Sequence, residues 1–214
     1  MMKATEVAAP QAHMGMFVTL PNPFVVVITG GGRGLIEAYT VAYAQAGASG
    51  IVLAARSQDE PDGVTRRVVK YDVTLTSDVE NLAKAIREDH QGRLDVIVND
   101  AAFLDEAGWK LITKSNPEDF RKKFDDNVFG VYLVTRTLIS LLLATEGGAR
   151  AVIAISSIYS ISMGMGKLAM KRFIEFLDNE YKDQGLVAYA LHPGGVPTKN
   201  EHVPRKCRLS CKLV

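Results

Sequence analysis

The chain is poor in cysteine. Its two cysteines, Cys207 and Cys211, both fall in the last eight of 214 residues, so no disulfide framework organises the fold and a reducing, cytoplasmic setting is expected. It also lacks charge of one sign: 25 Lys and Arg against 24 Asp and Glu leave a net +1, without the basic excess that a nucleic-acid partner requires. No apolar run approaches the ~18 residues that span a bilayer, and the longest, near Leu138 to Ala144, continues an amphipathic pattern, so no membrane partner is expected. The first twenty residues hold one lysine and no sustained apolar stretch, unlike a secretory signal, and residues 1–21 read as a flexible N-terminal arm. The closing CKLV fits a prenylation box loosely, because a lysine follows the cysteine. No metal site is expected. What remains, 47% hydrophobic and 23% charged residues, is the composition of one globular domain.

The most informative stretch is Phe24 to Leu35, FVVVITGGGRGL. Phe24 to Ile28 form the continuous apolar run of a buried parallel strand, which stops at Thr29 and three glycines. Leu35, Ala38, Tyr39, Ala42 and Ala46 then recur at helical spacing until Gly47, and Ile51 to Ala55 give a second strand. Strand, glycine turn, helix and strand make a mononucleotide-binding crossover. Its backbone N–H groups and helix dipole converge where a phosphate fits. The spacing GxGxxG fails, with Leu35 or Glu37 where glycine is needed. TGxxxGxG fits through Thr29, Gly30 and Gly34, but Ile36 takes the last glycine's place, where a β-branched residue is expected to push the helix from the strand or the ligand. A glycine turn without a ligand stays open as the alternative.

Further along, Arg56 opens a polar loop. Val68 to Val73 reads as a third strand, with a helix from a cap at Thr76 or Ser77 to about His90. Leu94 to Val98 reads as a fourth strand, ended by Asn99. A helix capped near Asn116 and Pro117 is followed by a long helical pattern from about Phe124 to Ala144. Ala151 to Ile155 is the fifth strand, Gly166 to Tyr181 a helix and Leu186 to Leu191 the sixth strand. The alternation implies an α/β fold with a doubly wound parallel sheet, Rossmann-like and single-domain.

Seven fragments now stand in order: TGGGRG at Thr29, DVT at Asp72, NDAA at Asn99, NVFGV at Asn127, SS at Ser156, Lys167 in GKLAMKRF, and PGGVPT at Pro193. Together they resemble the short-chain dehydrogenase/reductase family over roughly residues 22–200. The resemblance implies that Thr29, Gly30, Gly32, Arg33, Gly34 and Leu35 hold the cofactor pyrophosphate, and that Asp72 and Val73 border the adenine. It places Asn99 and Ala101 at the strand end beside the cofactor, with Asp100 and Ala102 replacing the family's second Asn and its Gly. Pro193, Gly194, Val196 and Thr198 would also line the cofactor, Val196 at the nicotinamide carboxamide and Thr198 at the phosphate region. A strand-end turn is the other reading of Asp72.

Charge argues for NADP(H) over NAD(H). The second strand ends in Ala55 instead of a carboxylate, and Arg56 and Arg33 can flank a 2′-phosphate. Two solvated surface arginines are the alternative.

By the same resemblance a tyrosine exchanges the substrate oxygen's proton, a lysine four residues later lowers its pKa, a serine holds that oxygen and an asparagine supports a water relay. Asn127, Ser157 and Lys167 match, and Lys167 would also touch the cofactor. Met163 stands where the tyrosine belongs. Tyr159 is the nearby tyrosine; with Gly164 and Gly166 disfavouring a helix, an irregular loop could fold it inward to a catalytic place, or it packs over the site. The segment after Arg56 is shortened, residues 201–214 read as an irregular tail, and the last strand of relatives is expected to be missing. The reading is an oxidoreductase acting by hydride transfer on a small-molecule carbonyl or alcohol, forming a homodimer or homotetramer, with secondary metabolism its setting by family habit. The alternatives are a catalytically impaired descendant that keeps the fold, or a truncated gene product.

Overall fold

Parallel pairing throughout the sheet follows from strands that are apolar on both faces. The computed structural model describes residues 19–30, 34–55, 67–102, 112–157 and 161–194. Among them, β1 (Val25–Thr29), β2 (Gly50–Ala55), β3 (Arg67–Lys70), β4 (Val96–Asn99), β5 (Ala151–Ile155) and β6 (Val187–Leu191) form one sheet in the order β3-β2-β1-β4-β5-β6. The doubly wound parallel sheet expected from the sequence is therefore present. The strand order reverses between β1 and β4, and the crevice beyond their carboxyl ends is where ligands of such sheets bind.

Helix α1 (Leu35–Gln45) covers one face. Helices α2 (Thr76–Asp89), α3 (Pro117–Phe124), α4 (Gly130–Ala144) and α5 (Ile161–Tyr181) complete the set, and α2, α4 and α5 cover the other face. β1 is divided between the two cores: Val26 and Ile28 pack with Ile36 of α1, Leu53 and Val98, whereas Val27 packs with Leu82, Val134, Leu138, Met170 and Ile174. On the α1 side no described helix covers β6. There Val187, Tyr189 and Leu191 are 51%, 45% and 41% exposed, while Ala188 turns into the opposite core.

Several boundaries differ from the sequence expectation. β3 ends at Lys70, short of Val73, because Asp72 Oδ1 accepts from the backbone N–H and the hydroxyl of Thr74 (2.9 and 2.7 Å) and turns the chain toward α2. Neither Thr76 nor Ser77 caps α2; Thr76 is its first helical residue, and Asp78 Oδ2 accepts from Asp72 N at 2.9 Å. Asn116 does cap α3, accepting from Glu118 N at 3.0 Å with Pro117 in the first turn.

Pro117–Ala144 is one helical run of 28 residues in which Asp125–Phe129 form a π turn. It is long and apolar enough to cross a membrane by composition, but half of its most apolar window is buried in the fold, as in a core helix. The largest correction concerns α5, which starts at Ile161 and not at Gly166. Gly166 does not break it: it lies where α5 crosses the π turn, and a Cβ there would make ordinary contact with Asn127 Cβ at 3.4 Å. Burial of Met170, Ile174 and Leu177 offsets the ~1 kcal/mol that an interior glycine costs a helix. The expected arm (but for residues 19–21), most of the polar loop after Ala55, and the tail lie outside the described residues.

Candidate nucleotide crevice

The first corner of the crevice is built at the end of β1. Thr29 is buried; its hydroxyl donates to Val98 O (3.5 Å) and accepts from Ala101 N (3.4 Å), tying the ends of β1 and β4 together. Gly30 N donates to Ala54 O at 2.8 Å, and the residue has φ +129°. A Cβ there would come 2.5 Å from Ile36 Cδ1 and 3.3 Å from Ala101 N, so only glycine fits. Gly34 precedes α1 with no side-chain cap, which leaves the first-turn N–H groups and the positive helix end for a ligand.

Ile36 does not push α1 off the sheet, contrary to the sequence expectation. Its side chain is buried beneath the turn, in the space that Gly30 lacks a Cβ to fill, among Phe24, Val26 and Ile28. Leu35 starts α1 and packs against the same core. Gly32, Arg33 and Arg56 lie outside the described residues.

The second corner joins β4, the π turn and α5. Asn99 is buried and pairs in register with Thr29 and Ala154; its Nδ2 donates to Thr135 Oγ1 at 3.3 Å and its Oδ1 has no partner. Asn127 is fully buried. Its Nδ2 donates to Lys123 O at 2.8 Å, within the π turn, and its Oδ1 is also without a partner. Gly166 rests on Asn127, and Lys167, next in α5, is 3% exposed. Burial pushes the Lys167 ammonium down to about 8, against the pull of the Asp100 carboxylate. Burial pushes Asp100 up to about 7, against the pull of Lys167. Tyr39 of α1 is raised as well, first by burial and then by Asp100. Among the described residues no direct ion pair joins Asp100 to Lys167; they act on each other across the crevice.

The remaining expected residues are spread around these two corners. Ser157 follows β5 and is partly exposed, while its neighbour Ser156 is buried and donates its N–H to Leu191 O at 2.7 Å. Asp72 has one carboxylate oxygen engaged in the turn already described, and Val73 is buried against Gly130 of α4. Gly194, after Pro193, has φ +79° and donates its N–H to His192 Nδ1 at 2.9 Å. Val196, Thr198 and Tyr159 lie outside the described residues. The sequence shows Asp100 only as a replaced asparagine and does not show its electrostatic influence on Lys167. The available signal was a charged residue directly after a strand, where the strand order reverses.

The family model for short chain dehydrogenase matches residues 24–206. The chain belongs to the short chain dehydrogenase family. It is 32% identical over 194 residues to the short chain dehydrogenase mpl6 of Monascus purpureus, covering 81% of this chain and 65% of that protein. It is 30% identical over 211 residues to the short chain dehydrogenase pgmD of Aspergillus terreus, covering 85% and 66%. It thus spans about two thirds of the length of these curated relatives. Among solved structures, a putative short chain dehydrogenase from Shigella flexneri complexed with NADP superposes with TM-score 0.75 at 21% identity, covering 86% of this chain and 82% of that one. ElxO with NADP bound superposes with TM-score 0.73 at 25% identity, covering 83% and 75%.

The described residues fit a nicotinamide nucleotide. The crevice offers Gly30, where no Cβ fits, an uncapped helix N-terminus, the buried Lys167, and the amide oxygens of Asn99 and Asn127, which have no hydrogen-bond partner among the described residues. Among the described residues no group of His, Cys, Asp and Glu could hold a metal ion.

Proposed function

We propose that the chain is an NADP(H)-dependent oxidoreductase that reduces a carbonyl, or oxidises an alcohol, on a small molecule. The observation that carries the reading is Lys167, buried at the crevice next to Gly166, which rests on Asn127, with an ammonium that burial pushes down to about 8. A bound nicotinamide nucleotide supplies the hydride. Thr29, Gly30, Gly32, Arg33, Gly34 and Leu35 seat its pyrophosphate, Asp72 and Val73 its adenine, Asn99 and Ala101 its middle, Pro193, Gly194 and Val196 its nicotinamide side, and Thr198 its phosphate region. Lys167 holds sugar hydroxyls and biases nearby groups toward their charged forms, Ser157 orients the substrate oxygen, and Asn127 Oδ1 accepts a hydrogen bond from water. Tyr159 is the tyrosine available for proton exchange. Cytoplasmic residence and a place in secondary metabolism belong to the same reading.

The absence of a carboxylate at Ala55, with Arg56 and Arg33 close in sequence, supports NADP(H) over NAD(H). Calorimetry with both reduced nucleotides tests this, and the expected result is at least tenfold tighter binding of NADPH, about 1.4 kcal/mol. Equal affinities, or tighter NADH, remove the preference; no uptake of either removes the function. A homodimer or homotetramer through the outer faces of α4 and α5 is supported by the exposure of Tyr132 and Phe176, and a monomer by sedimentation at micromolar concentration would refute it. A second reading, a nucleotide-binding descendant without turnover, is favoured by one observation: α5 is helical at residue 163, one turn before Lys167, and that residue is methionine.

A further inference from the structure

We propose that residues 14–18, Met-Gly-Met-Phe-Val, dock across the uncovered face of β5 and β6 on the α1 side, so that the chain closes this end of its own sheet. The inference does not depend on the oxidoreductase reading above. The surface comes from strand register. Ala151, Ile153 and Ile155 of β5 pair with Val187, Tyr189 and Leu191 of β6, and paired residues of a parallel ladder share one face of the sheet. On β5 these side chains belong to the core under α1: Ile155 is buried in it, and Ala151 and Ile153 pack against it. Their partners on β6 are uncharged and all exposed.

Three occupants compete for this strip, and size and chemistry choose among them. A second copy needs about 800 Å² and roughly 20–30 residues on each side for a stable dimer, far more than one row of exposed side chains offers. The free edge of β6 is not open to strand addition either. Val187 N donates to Arg150 O toward β5, so Ala188 N points outward, and Asp178 Oδ1 already accepts from it at 2.9 Å. The second candidate, residues 195–214, carries five Lys and Arg and no run of three apolar residues. Its Val196 and Thr198 are also given to the nucleotide in the function proposed above.

Residues 14–18 hold no charge, and four of the five are apolar. They are delivered to the correct side of the sheet. Leu20, two residues on, packs against the same core as Ala151 and Ile153, and its N–H donates to Ala46 O at 2.8 Å. From β1 to β6 the strand order counts three steps, ~14 Å at ~4.8 Å each, and five extended residues reach ~17 Å. Flexible thioethers suit an irregular strip of mixed aliphatic and aromatic side chains. A tethered segment also needs little contact area, because its effective concentration is of millimolar order. Once seated, it shields an apolar strip that would otherwise favour aggregation.

The test uses the full chain. With Tyr189→p-benzoylphenylalanine, irradiation of isotope-labelled and unlabelled protein mixed together should join position 189 to residues 14–18 of the same chain, read by peptide mass. Attachment to a second copy, to residues 195–214 or to nothing overturns the inference. Chymotrypsin supplies an independent readout, cleavage after Phe17. Tyr189→Ser removes part of the seat and should speed that cleavage roughly tenfold over wild type, because the segment opens more often. Tyr132→Ser, an equally exposed tyrosine on α4, should leave the rate unchanged. A wild-type rate for Tyr189→Ser, or the same acceleration from Tyr132→Ser, also overturns it.

Discussion

β4 is flanked by two aspartates that illustrate opposite uses of one side chain. At its amino end Asp95 is buried and saturated: it accepts from Val25 N at 2.8 Å and takes both arms of the Arg93 guanidinium at 2.9 and 2.8 Å. At its carboxyl end Asp100 makes no contact pair among the described residues, and burial pushes its carboxyl up to about 7 against the pull of Lys167. A saturated carboxylate locks strands together, whereas one held near partners but not by them remains available to a ligand. The same strand thus carries a saturated clamp at its amino end and a carboxylate without a contact pair among the described residues at its carboxyl end.

The largest expected effect tests the clamp. Asp95→Ala leaves Val25 N and the Arg93 guanidinium without their acceptor and should lower unfolding free energy by about 3–5 kcal/mol, read by urea denaturation. A loss below ~1 kcal/mol would erase the distinction. Next comes the other end of the strand. The folded-state pKa of Lys167 is about 8, below its ordinary 10.5, so between those values the unfolded chain holds a proton that the folded chain has released. Stability should therefore rise with pH across that window, by on the order of 2–3 kcal/mol, and Lys167→Met should flatten the rise. A variant that keeps the wild-type slope assigns it to other groups. The smallest effect is expected for Asp100→Asn at pH 8. Removing a disfavoured buried charge is offset by the heavier cost of charging Lys167 without its carboxylate, so the denaturation midpoint should stay within about 1 kcal/mol of wild type. A loss as large as that of Asp95→Ala would make the two aspartates equivalent.

The strands and the crossover turn were legible in the sequence because they depend on local signals. Phe24 to Ile28 and Ile51 to Ala55 are apolar without alternation, and Thr29 to Gly34 punctuates them. Asn127, Ser157 and Lys167 were legible through their place in a series of fragments, and the structure sets Gly166, the residue before Lys167, against Asn127. What local signals misjudged was decided by packing between elements. Gly166 looked like a helix breaker but is a contact point for Asn127, so α5 starts earlier than expected. Ile36 looked like an obstruction but fits the space left by the missing Cβ of Gly30. Asp100 looked like a neutral exchange for asparagine; its meaning depends on a lysine distant in sequence that only the fold brings near. Asp72 yielded its blander reading in part, since Thr74 occupies one of its oxygens.

The wide turn at Asp125–Phe129 has a dynamic consequence. It separates α3, which buries a single described side chain, from α4, which buries eight residues in the core. A seam between a weakly anchored and a firmly anchored segment is where a helix divides into cooperative units, so backbone amides before it should exchange with heavy water well ahead of those after it. Asn127 lies on that seam and Gly166 of α5 presses against it, so fraying of α3 would reach the crevice without disturbing the sheet.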